Sequence, residues 1–312
     1  MQKINQTYYA HGKLLLTAEY FVLCGAKAVA LPLRYGQRMD VAEGKQEQVL
    51  SWKAFMQEGL WFSCDFRLPD LSIIHSSDRE KALILQETFL LIRQLNPGFR
   101  FDRSLEIHNR IDFNNQWGLG SSSTLMANLA EWAGVDPFQL NEMIFNGSGF
   151  DIACAKAGGP IFYQKGHCPE AVDLDYSFKD HLYFIYSGAK KSTRNEVRRF
   201  LTDHSVRDGD IERMNQFSDA IVASGSLPDF MRLLHEHEQM VSSLVGLETV
   251  QAKYFSDFNG QVKSLGAWGG DFYLVATAMD DREVLRYFKE KGLTVVFPWE
   301  EMVLNESVTE KI

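Results

Sequence analysis

Short apolar runs separated by glycine and proline residues fill the first part of the chain and predict a β-sheet. A strand-like pattern extends from Thr7 to about Asp40, and two further runs at Val49–Trp52 and Leu60–Ser63 have the length and composition of strands. Because strands that follow one another closely in sequence commonly pair, we expect an N-terminal antiparallel sheet.

Helical spacing begins at residue 79, where apolar positions recur every three or four residues until Asn96-Pro97-Gly98 ends the pattern. A predicted strand, Leu105–His108, then leads through a glycine and serine turn into a predicted helix, Ser123–Ala133. A second helix is predicted to start at Asp136, with Pro137 in its first turn.

The second half mixes strand and helix patterns. The predicted strands are Leu182–Tyr186, Phe272–Ala276 and Leu293–Phe297, and the predicted helices are Asn195–Leu201, Ile211–Ser224, Leu227–Leu244 and Arg282–Lys291. Strands grouped with helices in this way are typical of the α+β class, and 312 residues are enough for two domains.

Composition, charge and cysteine spacing argue against several classes of function. A formal net charge of −9 disfavours a nucleic-acid binder, and the absence of an apolar run of about 20 residues disfavours a membrane span. The four cysteines have neither zinc-site nor disulfide-framework spacing. Without a signal-peptide pattern either, we expect a cytoplasmic protein that acts on a small, phosphorylated molecule and binds neither nucleic acid nor membrane.

The turn from Asn115 to Thr124 is the first candidate site. Two glycines allow a tight turn that exposes backbone N–H groups, and three serines then open a helix whose positive end favours anions. Taken alone, the pattern favours a serine-capped helix over an anion site. Similar glycine clusters at 147–149 and 266–270, each beside Ser, Asp or Lys, indicate a shared phosphate-handling cleft, although no Walker A, dinucleotide or protein-kinase motif occurs.

Four segments together resemble the motifs of the GHMP small-molecule kinases, the superfamily of galactokinase, homoserine kinase, mevalonate kinase and phosphomevalonate kinase. They are Gly12–Leu23, Gly118–Ser123, Gly147–Ala153 and Lys263–Asp271, in the family's order and spacing. The resemblance implies an N-terminal domain like ribosomal protein S5 domain 2 in residues 1–175 and a C-terminal ferredoxin-like α+β domain in residues 176–312. It also implies ATP and Mg²⁺ as cofactors, a small-molecule substrate, and a monomer or homodimer.

The resemblance assigns roles to individual residues. The ATP phosphates are bound by Gly118, Leu119, Gly120, Ser121, Ser122 and Ser123. Magnesium is bound by Ser122 and Glu142, although an exposed helical glutamate is the alternative for Glu142. Asp151 accepts the proton of the acceptor hydroxyl, and Lys13 stabilises the attacking oxygen. A turn cap and a strand-edge lysine remain the alternatives for these two.

The acceptor is expected to contact Glu19, Tyr20, Gly266, Ala267, Trp268 and Gly269. A basic turn at Lys190, Lys191 and Arg194 is either a further anion contact or a solvated turn. Mevalonate is the first expected acceptor, because of the compact length and residues 28–33, and phosphomevalonate is the alternative, because of Tyr20.

The sequence departs from the family motifs at three places. Ala18 replaces a glycine in the first motif, Trp268 replaces one in the third, and the usual proline before the glycine and serine turn is missing. The changes at Ala18 and Trp268 motivate a third hypothesis, a catalytically silent metabolite-binding homologue. Finally, the run Leu234–Glu238 does not have metal-site spacing, and we interpret it as the surface of an acidic helix.

Overall fold

A computed structural model describes residues 4–188, 206–266 and 270–306. The described residues form two compact units that interleave along the chain. The first unit comprises those within Met1–Gly12, Tyr35–Asn115 and Leu119–Lys156, and the second those within Lys13–Arg34, Gln116–Gly118 and Ala157–Ile312. The expected contiguous domains divided at residue 175 remain a prediction.

The first unit is a sheet packed against helices. Two strands, β1 (Ile4–Leu15) and β2 (Ala28–Glu43), contribute residues to both units. The remaining elements are β3 (Val49–Met56), β4 (Gly59–Arg67), β5 (Ile73–Ser76), α1 (Arg79–Leu95), β6 (Leu105–Ile111), α2 (Ser121–Ala133), α3 (Pro137–Phe145) and α4 (Phe150–Ala155).

The sheet of this unit is mixed rather than antiparallel. Its strand order is β5-β4-β3-β6-β2, and β3 pairs with β6 in parallel. Parallel neighbours need a long connection, which here contains α1. The sequence pattern predicted the strands, but it did not reveal that the connection through α1 makes β6 run parallel to β3.

The core of the first unit lies between this sheet and its helices. Residues of β3, β4 and β6 alternate between buried and more exposed positions, so one face of each strand turns inward. Phe89 of α1 is fully buried, and its ring lies 5.4 Å from Phe66, 5.4 Å from Phe101 and 6.0 Å from Trp52. The aromatic cluster joins α1 to β3 and β4.

The second unit contains most of the second half of the chain. Its elements are a 3-10 helix (Phe21–Cys24), β7 (Ile161–Tyr163), β8 (Glu170–Ala171), a second 3-10 helix (Lys179–His181), β9 (Leu182–Tyr186), α5 (Asp208–Val222), α6 (Leu227–Val245), α7 (Val250–Tyr254), β10 (Gln261–Leu265), β11 (Phe272–Ala276), α8 (Asp281–Glu290), β12 (Val296–Pro298) and α9 (Trp299–Met302).

Four of these strands form an antiparallel sheet with the order β10-β11-β9-β12. Along the chain, helices lie between β9 and β10 and between β11 and β12. This is the split βαβ arrangement of ferredoxin-like domains. The α+β class and the ferredoxin-like part of the prediction are therefore confirmed. In the part of the chain that the structure describes, no helix has the length and apolar character needed to cross a bilayer.

Candidate functional site

The serine-rich helix start of the first unit has the features of an anion site. Helix α2 begins after Gly120, whose φ of 94° favours glycine, and no side chain of the described residues caps its first N–H groups. The Ser123 hydroxyl instead donates back to the Gly120 carbonyl, at 2.9 Å. Ser122 is exposed at this end. Uncapped amides beside an exposed hydroxyl fit a phosphate and an oxygen-ligated cation.

A buried polar chain that sequence reasoning missed fixes the start of α2 against β2. The Thr124 hydroxyl donates to Gln37 Oε1 at 2.6 Å, and Asn128 Nδ2 donates to the Gln37 carbonyl at 2.8 Å. Gln37 Nε2 in turn donates to Asn109 Oδ1 of β6 at 3.1 Å. All four side chains are buried, so these bonds orient the first turns of the helix.

Asp151 lies in the first turn of α4, after Gly149 with φ 94°. Its side chain is half-buried, and Oδ1 accepts a hydrogen bond from the Ile152 N–H at 3.1 Å. A carboxylate at this end of a helix is electrostatically favourable without any ligand. Glu142 is exposed on α3, so its carboxylate is accessible to a cation. The roles predicted for both residues remain predictions.

The other predicted residues of the first motif belong to the second unit. Lys13 is half-buried near the end of β1, and Glu19 and Tyr20 are 3% and 6% exposed. Ala18 and Tyr20 both have left-handed backbone conformations, with φ of 64° and 61°. The segment from Ala18 to Tyr20, here called the Glu19 turn, interrupts a region that the sequence predicted as strand.

Two buried hydroxyls anchor the residue before the Glu19 turn. The Val29 N–H donates to Thr17 Oγ1 at 2.8 Å, and Thr17 Oγ1 lies 2.7 Å from Ser218 Oγ of α5. Ser218 Oγ donates to the Lys27 carbonyl at 2.7 Å. Since each hydroxyl has one proton, Thr17 must be the donor to Ser218. Thr17 therefore accepts a hydrogen bond from Val29 and donates one to Ser218, so both contacts hold its side chain in place.

A buried charged group, here called the Lys263 cluster, consists of Glu19, Lys263, His237 and Glu238. Lys263 of β10 is fully buried, donates to Glu19 Oε1, and lies 3.8 Å from Glu238 Oε1. His237 Nε2 is 3.4 Å from Glu19 Oε2 and accepts a hydrogen bond from the Ala18 N–H at 3.1 Å. The first and third motifs thus meet in this unit through an ion pair.

Burial controls the charges in the Lys263 cluster. It raises the pKa of Glu238 to about 8, against the attraction of Lys263, and it also raises the pKa of Glu19, which Lys263 opposes. Burial and the Lys263 charge lower the pKa of His237 well below its usual value. The prediction that Leu234–Glu238 forms a helix surface is wrong for Leu234, His237 and Glu238, which are 0%, 0% and 1% exposed.

Gly118 and Trp117 are held by the sheet of the second unit. A Cβ atom on Gly118, whose φ is 69°, would overlap the Asp271 carboxylate, so glycine lets this carboxylate lie against the backbone. The Trp117 ring packs 5.3 Å from Phe297, 6.2 Å from Tyr186 and 6.3 Å from Phe272. These aromatic rings anchor the chain immediately before the glycine and serine turn.

The third motif is described only in part. Gly266 follows β10 with φ 78°, and the Gly270 N–H donates to Ser264 Oγ at 3.3 Å. The predicted residues that lie outside the described chain are Ala267, Trp268, Gly269, Lys190, Lys191 and Arg194. Among the described residues, no group of three or more His, Cys, Asp or Glu is arranged to hold a metal ion.

Solved structures with a similar fold cover nearly the whole chain. Methanococcus jannaschii mevalonate kinase is 12% identical with a TM-score of 0.71, covering 96% of this chain and 98% of its own. Streptococcus pneumoniae phosphomevalonate kinase in complex with phosphomevalonate and AMPPNP is 16% identical with a TM-score of 0.65, covering 96% and 98%. Lactococcus lactis galactokinase complexed with galactose is 12% identical with a TM-score of 0.64, covering 95% and 93%.

No protein-family model matches the sequence, and no curated protein matches it at a significant level. The structural similarity extends over 95% or more of this chain in each of the three comparisons. The chain therefore has the two-domain α+β fold of the GHMP kinases.

Proposed function

We propose that this chain is an ATP-dependent GHMP-type kinase that transfers the γ-phosphoryl group of ATP to the hydroxyl of mevalonate. The observation that carries the proposal is the uncapped start of α2, with Ser122 exposed beside it, in a chain with the fold of these kinases. Phosphoryl transfer depends mainly on positioning and charge neutralisation, which backbone amides at a helix start supply.

The residues divide the reaction between them. The backbone amides of Ser121, Ser122 and Ser123 bind ATP phosphate oxygens. Asp151 orients the acceptor hydroxyl and takes its proton as the oxygen forms a bond to the γ-phosphorus and the bond to ADP breaks. Lys13 stabilises the negative charge on the attacking oxygen.

Ser122 and Glu142 are the oxygen ligands proposed for Mg²⁺, and both are accessible. When bound, the ion neutralises the charge that develops on the phosphates. We propose further that the enzyme is cytoplasmic, acts as a monomer or homodimer, and has only small molecules as substrates.

Phosphomevalonate is the second candidate acceptor, and Tyr20 in the first motif favours it. The third candidate is a homologue that binds ATP and a metabolite without turnover, which the left-handed Ala18 favours because the family has glycine there. A coupled assay of ADP release with mevalonate, phosphomevalonate, homoserine and galactose separates the three. ATP binding without turnover of any acceptor would support the silent homologue and refute the kinase.

Asp151→Asn tests the catalytic assignment. We expect a fall in kcat of about 10²–10⁴-fold, because an amide cannot accept the proton. Asp136→Asn is the matched control, since Asp136 also lies at a helix start, where its side chain accepts from the Gln139 N–H at 2.8 Å. Asparagine caps helices as well as aspartate does, so this variant should retain full activity. A kcat of Asp151→Asn within about threefold of wild type would exclude Asp151 as the proton acceptor.

A further inference from the structure

The Glu19 turn has a backbone that its residues do not favour. Ala18 and Tyr20 have φ of 64° and 61°, in the left-handed region where a Cβ atom is crowded. Two such residues on either side of Glu19 persist only where the surroundings determine the conformation. The question is which group does so at Ala18.

His237 supplies the hydrogen bond at that position. Its Nε2 accepts from the Ala18 N–H at 3.1 Å, and both residues are completely buried. An imidazole nitrogen that accepts a hydrogen bond carries no proton, so the ring is neutral with its proton on Nδ1. The positive charge of Lys263 and the burial of the ring both favour this neutral form.

Packing alone does not account for a histidine here. Nδ1 of His237 has no hydrogen-bond partner among the described residues, and an unpartnered buried N–H is unfavourable. An apolar side chain on the same face of α6, where Leu234 and Val241 are also buried, would avoid this cost. Unlike an apolar side chain, the imidazole provides a hydrogen-bond acceptor for the Ala18 N–H.

The rest of the turn is held from other directions, which leaves Ala18 dependent on α6. Thr17 is fixed through Ser218 of α5, and the Glu19 carboxylate is paired with Lys263 of β10. The Val22 N–H donates to the Ala18 carbonyl at 2.9 Å, which ties Ala18 to the first turn of the 3-10 helix Phe21–Cys24. A change at the Ala18 amide would therefore be transmitted to Tyr20 and to the start of that helix.

We propose that His237 is a positioning residue that holds Ala18 in its left-handed conformation and so orients Glu19 and Tyr20 toward the acceptor. The proposal rests on the kinase function proposed above and on the expectation from the sequence that Glu19 and Tyr20 contact the acceptor substrate. His237 does not contact the reacting atoms in this account. It acts only through the backbone of the Glu19 turn.

Three variants test the proposal in steady-state kinetics. His237→Leu removes the nitrogen that accepts the hydrogen bond from the Ala18 N–H. We expect KM for the substrate that receives the phosphoryl group to rise about tenfold or more, while KM for ATP changes less than about threefold. His237→Gln places an amide oxygen near the position of Nε2, and it should stay within about threefold of wild type. Adding Ala18→Gly to His237→Leu should restore most of the loss, because glycine adopts the left-handed conformation freely.

His235→Leu is the matched control, since His235 is exposed on the same helix two residues earlier, and its kinetics should equal those of wild type. If His237→Leu raised both KM values equally, or if Ala18→Gly gave no rescue, the positioning role would be refuted. Thermal melting of each variant identifies any that fail to fold.

A measurement on the wild-type protein needs no activity. NMR of the wild-type protein with ¹⁵N-labelled histidine should find His237 neutral and protonated on Nδ1. In a second experiment, hydrogen exchange of the Ala18 amide with solvent should be slow. Exchange of the Ala18 amide should stay slow in His237→Gln and should become faster in His237→Leu. A proton on Nε2, or unchanged exchange in His237→Leu, would overturn the proposal. If no acceptor were turned over, the kinase function would fail while this measurement still decided the role of His237.

Discussion

Replacing Glu238 by glutamine should change how the stability of the protein depends on pH. Glu238 is 1% exposed on α6, and burial raises the pKa of its carboxyl to about 8. At neutral pH the carboxyl is therefore mostly protonated. Glutamine has the size and shape of that neutral form, so the variant should differ little from wild type at low pH and more as pH rises.

The sign and size follow from proton linkage. Between the ordinary pKa of 4.5 and the native value of about 8, the native state holds a proton at Glu238 that the unfolded state has released. Stability therefore decreases as pH rises through this range, by about 1.4 kcal/mol per pH unit. Between pH 6 and pH 8 wild type should lose about 2.3 kcal/mol relative to Glu238→Gln, because the native carboxyl is already half titrated at pH 8. Tm should then fall by about 3–4 °C more in wild type.

Thermal melting of both proteins from pH 5 to pH 9 measures this difference directly. Glu236→Gln is the matched control, because Glu236 lies two residues away with a side chain that is 42% exposed and paired with Arg232. An exposed pair of this kind contributes little, so its melting curve should run parallel to wild type. Parallel curves for Glu238→Gln and wild type would contradict a raised native pKa, since Glu238 would then titrate alike in the native and unfolded states.

Two further substitutions test the two units separately. Lys263→Met should cost about 3–5 kcal/mol in urea denaturation, because it leaves Glu19 buried without its cation, and adding Glu19→Gln should recover much of the loss. Equal destabilisation with and without Glu19→Gln would contradict this. Phe89→Ala should cost about 3–5 kcal/mol by emptying the aromatic core, whereas Leu90→Ala, at a 39% exposed position of the same helix, should cost about 1 kcal/mol or less. Similar losses at both positions would rule out the core argument.

Strong local patterns made several elements predictable. The apolar strands Leu182–Tyr186 and Phe272–Ala276 have the predicted bounds, and α6 differs from its prediction by one residue. The two strands are continuous apolar runs and are buried at nearly every position, whereas the apolar residues of α6 recur at helical spacing and are buried on one face. The sequence patterns that predict these elements are therefore the patterns of burial in the fold.

The Glu19 turn was not predictable from the same kind of pattern, and for Glu238 the pattern and the charge of the residue pointed in opposite directions. Neither Ala18 nor Tyr20 is a residue type that signals a left-handed turn. Glu238 has a usable signal, because it lies four residues after Leu234 and three before Val241, on the buried face of α6. Its charge favoured the surface interpretation, since the partner that permits burial, Lys263, lies on a strand far away in the sequence.

The ion pair between Glu19 and Lys263 changes how the motif match should be interpreted. The two residues are 244 positions apart and belong to the first and third motifs, yet each is buried and each contacts the other. A residue type that recurs in a motif can therefore be required by the scaffold as well as by the substrate. Glu19→Gln separates these requirements, because it keeps the shape of the side chain and removes its charge. If Glu19 serves mainly to neutralise Lys263, the variant should lose stability with little change in acceptor KM. A large rise in KM at unchanged Tm would instead assign Glu19 to the acceptor.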